Sequence, residues 1–167
     1  LRGIQPHIEK RVVQKVIIRQ PKLRWPIPKK IITQLPEHEV TKAYRRAKYL
    51  LLQIGKGTLI MHLGMSGSIR ILPHSVSPTK HDHFDLVFEK NRLRLRDPRK
   101  FGAVLWTEED PLKHKLLIQL GPEPLSKALT GEYLYRLSRK RSVSTKEFIM
   151  NAHVVVALNM FDELEKH

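Results

Sequence analysis

Tyr44-Arg45-Arg46-Ala47-Lys48-Tyr49-Leu50-Leu51-Leu52-Gln53-Ile54, then Gly55-Lys56-Gly57, then Thr58-Leu59-Ile60-Met61-His62-Leu63, is the stretch that decides the fold. Two apolar runs flank a glycine pair, which predicts a β-hairpin with strands over 44–54 and 58–63. Similar short runs lie on either side. Residues 11–19 are β-branched, and 68–72, 83–89, 92–96 and 102–107 continue the pattern, with Asn91 as a turn. Short strands joined by short turns indicate an antiparallel β-sandwich rather than alternating βαβ units. The expected class is mainly β with flanking helices.

Helical spacing marks the rest. Leu1, Ile4 and Ile8 fit the end of a helix, and Ile31, Ile32 and Leu35 give a short amphipathic helix near 28–35. Three prolines make 21–28 irregular. Beyond residue 110 the period becomes helical over 111–120, 131–139, 144–152 and 159–166. Ser144-Thr145-Lys146-Glu147 has the form of a capping box. Gly121-Pro122-Glu123-Pro124 reads as a linker. The expected organisation is a β-sandwich domain over 1–120, a linker over 121–130 and a partial helical domain over 131–167. An incomplete helical lobe would expose Val154, Val155 and Val156.

The chain of 167 residues carries a formal charge of +15, and the excess is uneven. Residues 1–100 hold 22 basic and 7 acidic side chains, whereas residues 101–167 hold 9 of each. Such a field on one domain favours a polyanion and salt-sensitive association. Nucleic acid fits it better than an anionic membrane surface or a generally basic proteome. With no cysteine, the chain has no disulfide and no thiolate zinc site, and no cofactor is expected within it. No apolar run is long enough to span a membrane, and no export signal opens the sequence. Leu1 in place of Met points to a start that is not the natural one.

Several short motifs could carry chemistry. Arg92-Leu93-Arg94-Leu95-Arg96 alternates on a strand, so the leucines enter the core and three arginines share the other face, for phosphate contact or as a solvated edge. Tyr44 to Tyr49 interleaves bases and aromatics, which suits a surface that follows a nucleic-acid backbone. His62-Leu63-Gly64-Met65-Ser66-Gly67 makes a tight loop tipped by Met65, read locally either as a wedge between bases or as core filling. Asp97-Pro98-Arg99-Lys100-Phe101-Gly102 forces a bend that projects Arg99 and Phe101, or sets a surface Arg beside a buried Phe. His81-Asp82-His83 reads as ordinary polar surface rather than a metal site.

Taken in order, these words resemble the formamidopyrimidine-DNA glycosylase family. The words are Arg2-Gly3-Ile4-Gln5-Pro6-His7, Pro21-Lys22-Leu23-Arg24-Trp25-Pro26, Arg45-Arg46-Ala47-Lys48-Tyr49-Leu50-Leu51, His62-Leu63-Gly64-Met65-Ser66-Gly67-Ser68, Lys80-His81-Asp82-His83, Asp97-Pro98-Arg99-Lys100-Phe101-Gly102 and Leu120-Gly121-Pro122-Glu123-Pro124-Leu125. The resemblance implies a bilobed clamp on duplex DNA, with a β-sandwich lobe and a helix-two-turn-helix lobe bearing a zinc finger. It implies base-excision repair of oxidised purines, 8-oxoguanine and formamidopyrimidines, by a combined glycosylase and AP lyase that cleaves the strand by β,δ-elimination. Lys48 and His62 match phosphate contacts. Met65, Arg99 and Phe101 match the trio that fills the gap left by an everted base, Arg99 facing the orphaned cytosine. Lys146 matches a lysine near the catalytic face, and Asn159 aligns with a phosphate-binding asparagine.

The sequence departs from the family at both ends. The family's nucleophile is the secondary amine of an N-terminal proline, followed by a glutamate acid. Here Leu1 leads and Pro6 has only an amide nitrogen, so no catalytic residue of the family is present, Lys48 being the family lysine retained. The glycine-rich turn of the helical lobe is replaced by Ala157-Leu158-Asn159, and the zinc-finger cysteines are missing. The expectation is a truncated or degenerate member that binds duplex DNA as a monomer but is inactive in this form. The alternative is a non-enzymatic DNA-binding module or remnant. The expected location is the cytoplasm, on bacterial-type nucleoid DNA.

Overall fold

The computed structural model describes residues 1–139 and 141–156. The chain divides into two compact units, Leu1–Pro111 and Leu112–His167.

The first unit is two four-stranded antiparallel sheets, as its alternating sequence predicts. One sheet holds β1 (Lys15–Ile18), β6 (Asp82–Val87), β7 (Arg92–Arg96) and β5 (Ser68–Leu72), in that order. The other runs β2 (Val40–Arg46), β3 (Tyr49–Ile54), β4 (Gly57–His62) and β8 (Ala103–Thr107). Inward residues of both sheets share one core, with Val16, Phe84, Leu86, Leu93 and Leu95 from the first and Val40, Leu52, Leu59, Met61 and Val104 from the second. Two one-turn helices, α1 (Gln5–Ile8) and α2 (Ile31–Gln34), add Ile8 and Ile31 to that core.

The segment expected as a single strand over 44–54 is two strands. Arg46 pairs with Tyr49, which leaves Ala47-Lys48 as a two-residue hairpin turn. Ala47 takes a φ of 54°, a conformation favoured by glycine or asparagine, so the turn carries no sequence signal. The turn also sets Lys48 at the tip of a hairpin rather than within a strand.

The arginine strand neither faces outward for phosphate nor forms an edge. β7 lies inside its sheet, between β6 and β5, and Arg94 stands directly across from Asp85. Asp85 is fully buried and receives both terminal nitrogens of Arg19 at 3.1 and 2.7 Å. Arg94 adds bonds at 3.0 and 3.1 Å, and Arg92 one at 3.4 Å. Arg94 Nη1 also donates to the carbonyls of Val76 and Ser77, and Arg92 Nη2 to that of His74, so the arginines hold the 73–80 loop over this face. His81-Asp82-His83 is likewise not open surface: Asp82 and His83 are buried. Asp82 accepts from Thr79 N and Oγ1, and His83 Nε2 bonds the Asp97 carbonyl at 2.9 Å.

In the second unit the helix expected over 111–120 is only a 3-10 turn at Pro111–Lys113 followed by irregular turns. Leu117 is buried there but Leu112 and Ile118 are exposed, so the segment lacks the continuous apolar stripe that stabilises a helix. Among the described residues two helices form, α3 (Gly131–Ser138) and α4 (Thr145–Met150). Thr130 caps α3 through Tyr133 N–H at 3.1 Å, and Ser144 caps α4 through Glu147 N–H at 3.2 Å. Val154, Val155 and Val156, expected to be exposed, are buried. The first two join Phe148, Leu129, Leu134 and Leu137 in a small cluster, and Val156 N–H bonds the Pro122 carbonyl. The helix expected over 159–166 lies outside the described residues.

Candidate nucleic-acid interface

At one end of the first unit, β4 leaves the second sheet at His62 and the chain crosses to β5 in the first. Beside it, β7 leaves the first sheet at Arg96 and crosses back to β8. His62 pairs with Ala103 and Ser68 with Arg96, so the crossovers 63–67 and 97–102 run side by side. The β2–β3 hairpin tip and the 21–28 segment close the same end. A cleft of about 640 Å³ results, lined by Leu23, Arg24, Lys48, His62, Gly64, Met65, Arg99, Lys100 and Phe101. The five residues singled out in this unit from the family resemblance, Lys48, His62, Met65, Arg99 and Phe101, thus meet in one place.

Backbone contact fixes the loops. Gly64 has a φ of +64°, and a Cβ there would sit 2.7 Å from the Phe101 carbonyl carbon. Gly102 lies so close to His62 that a Cβ would meet its carbonyl oxygen at 2.7 Å. Gly102 O in turn accepts from Arg24 N–H at 3.1 Å, which docks the proline-rich segment on the loop. Asp97, fully buried, accepts from Gly102 N–H at 2.7 Å and from Ser66 Oγ at 2.8 Å.

The cleft's wall is cationic, with Arg24, Lys48, Arg99 and Lys100 and, among the described residues, no acidic lining side chain. Two apolar side chains protrude into this setting: Met65 is 78% exposed and Phe101 44%. The Arg99 guanidinium lies 4.7 Å from the Phe101 ring centroid, a cation–π stack that presents fork donors beside an aromatic ring. His62 Nδ1 accepts from Gly64 N–H at 3.1 Å, so the neutral ring carries its proton on Nε2. Burial first, and then the charges of Arg24 and Lys48, hold its pKa below the ordinary imidazole value. The site therefore offers cations, one neutral N–H donor and two exposed apolar tips, an arrangement suited to a polyanion with stacked, partly apolar content.

Sequence reasoning missed Arg24, which both lines the cleft and stacks 4.7 Å from the Trp25 centroid. It also missed the roles of Asp97 and Ser66. An Asp at a strand end, five residues before a glycine, was the available signal for the first. Lys146 is exposed in the first turn of α4, in the other unit. Asn159 lies outside the described residues.

A family model described as the formamidopyrimidine-DNA glycosylase N-terminal domain matches residues 1–104. The formamidopyrimidine-DNA glycosylase of Thioalkalivibrio sulfidiphilus is 50% identical over 158 residues, covering 94% of this chain and 58% of its own length. That of Cellvibrio japonicus is 51% identical over 158 residues, covering 95% of this chain and again 58% of its own. Among solved structures, the Lactococcus lactis enzyme bound non-covalently to DNA containing an AP site has a TM-score of 0.85 at 25% identity, covering 94% of this chain and 61% of that one. The chain thus spans 58% of the length of these curated relatives.

Proposed function

The chain belongs to the formamidopyrimidine-DNA glycosylase family, and on that premise we propose that residues 1–167 are the duplex-gripping, gap-reading part of a base-excision-repair glycosylase for oxidised purines. The observation that carries this reading is the pair of exposed apolar tips, Met65 and Phe101, inside a cationic cleft. Exposed apolar side chains gain nothing from phosphates. They gain a great deal from the space an extruded base leaves in the stack.

The division of labour follows from each group's chemistry. Lys48, at a hairpin tip, and the Nε2–H of neutral His62 hold phosphates flanking the lesion. Extruding the base costs a few kcal/mol of stacking and pairing. Met65 and the Phe101 ring fill the vacated space and offset part of that cost. Arg99, held over the Phe101 ring, turns its fork donors to the base left unpaired, and the acceptor-rich edge of a cytosine fits them. Lys146, exposed in the second unit, is a further candidate phosphate contact on the strength of the family resemblance alone.

Strand cleavage of the family type runs through an iminium that the secondary amine of an N-terminal proline forms with the deoxyribose carbonyl carbon. Each proline of residues 1–167, from Pro6 to Pro124, has an amide nitrogen. A polypeptide made with Leu1 leading therefore lacks the family's nucleophile and is expected to bind damaged duplex without cutting it. The test incubates that polypeptide with duplex containing 8-oxoguanine opposite cytosine, with and without borohydride. Salt-sensitive binding with no nick and no trapped adduct is expected. A covalent adduct would refute the binding-only reading, and absence of any duplex affinity at low salt would refute the DNA reading itself.

A further inference from the structure

We propose that Asp97 and Ser66 are positioning residues that lock the Met65 crossover and the Arg99–Phe101 crossover into a single wedge, an inference that rests on the gap-filling reading of the cleft. Neither side chain is among those lining the cleft, so any effect they have on DNA passes through the backbone they hold. The Asp97 carboxylate has two hands. Oδ2 takes the Gly102 N–H of its own crossover at 2.7 Å, and Oδ1 takes the Ser66 hydroxyl of the neighbouring one at 2.8 Å. Ser66 returns the link, because its oxygen accepts from Arg99 N–H at 3.3 Å. The bonds form a closed loop from Asp97 to Ser66 to Arg99 and back along the chain.

The topology makes this pin consequential. The two crossovers pass between the sheets in opposite directions, and one carries Met65 while the other carries Arg99 and Phe101. Unpinned, each loop would have to be ordered separately as it entered DNA, and that ordering opposes binding. Pinned, the three side chains enter as one preorganised body. The pin itself is protected: Asp97 is fully buried, and its main chain is held as well, N–H to the His81 carbonyl at 3.0 Å and carbonyl to His83 Nε2 at 2.9 Å. The buried His83, which no direct role in the cleft explains, thereby acquires one as a brace for Asp97.

The experiment measures fluorescence anisotropy of the chain on two duplexes, one with a tetrahydrofuran gap opposite cytosine and one intact, for Ser66→Ala, Asp97→Ala and Asp97→Asn. Ser66→Ala and Asp97→Ala each remove two hydrogen bonds of the pin and should lower the preference for the gapped duplex about tenfold or more. Affinity for intact duplex should stay within about twofold, because the phosphate contacts lie elsewhere. Asp97→Asn keeps an acceptor for Gly102 N–H and can donate its amide to Ser66 Oγ, so it should retain most of the preference. A folded Ser66→Ala with unchanged preference overturns the proposal, as does equal loss on both duplexes. If Asp97→Ala fails to fold, Ser66→Ala decides alone. A parent chain that does not distinguish the duplexes would overturn the gap-filling reading instead. Hydrogen exchange on the free Ser66→Ala chain tests the pin without DNA: both 63–67 and 97–102 should exchange faster together, and acceleration of only one would overturn the coupling.

Discussion

Replacing Asp85 by Ala should cost the first unit much of its stability. The carboxylate is fully buried and is the shared acceptor for Arg19, Arg92 and Arg94 at 2.7 to 3.4 Å. Without it, Arg94, itself 2% exposed, keeps the Val76 and Ser77 carbonyls and Asp82 at 3.6 Å, but loses its bidentate partner. Removing one member of a buried ion pair costs about 3–5 kcal/mol because a buried charge is left uncompensated. At roughly 4 °C per kcal/mol for a unit of this size, the melting midpoint should fall by about 12–20 °C. Calorimetry at neutral pH reads this directly. Asp85→Ala combined with Arg94→Leu should recover part of the loss, since the most deeply buried of the three guanidiniums is then gone while Arg19 and Arg92 still lack the shared acceptor. Burial pushes the Asp85 carboxyl up, but hydrogen bonds and charge from Arg19 and Arg94 outweigh it and hold the pKa below the ordinary 3.8. Its contribution is therefore complete above about pH 4 and fades only as pH falls below that value. A drop under about 1 kcal/mol would refute the reasoning, because that is the behaviour of solvent-screened pairs.

Met65→Ala should leave stability within about 0.5 kcal/mol, the side chain being 78% exposed, and Phe101→Ala should cost about 1 kcal/mol, the ring being partly covered and stacked on Arg99, yet each should weaken binding to gapped duplex about tenfold or more by forfeiting apolar burial; anisotropy beside a thermal melt checks both halves. Lys48→Ala should weaken binding to gapped and intact duplex alike and reduce the slope of log affinity against log salt by about 1. His62 is neutral in the fold with its pKa below 6.5, so the unfolded chain binds more protons beneath that pH. Stability should therefore fall as pH drops below about 6.5, and His62→Gln should flatten that part of a melting-midpoint profile taken from pH 7.5 to 5.5.

The sandwich was legible because its strands alternate and its turns are short, and the boundaries of β5 and β7 match the expected 68–72 and 92–96. The β2–β3 turn was not, because Ala47 occupies a left-handed conformation without the residue types that announce one. The outward face of β7 was misread for a different reason. Alternation says that Arg92, Arg94 and Arg96 share a face, but only the strand order says that Asp85 lies opposite. Asp82 became interior because Thr79 of the 73–80 loop folds onto it, and His83 because its ring turns to the Asp97 carbonyl. At the cleft, Met65, Arg99 and Phe101 were singled out through the family words, their local patterns fitting core or surface equally well. Arg24, Ser66 and Asp97 were invisible as a group because the sheet crossovers, not sequence proximity, bring them together.

The central claim, that this cleft reads a vacancy in the base stack, is tested most directly by the ratio of its affinities for gapped and intact duplex of one sequence at one salt concentration. The account predicts at least about tenfold tighter binding to the gapped duplex, the worth of burying one apolar side chain. Equal affinities would show a surface that feels only phosphates, and would contradict it.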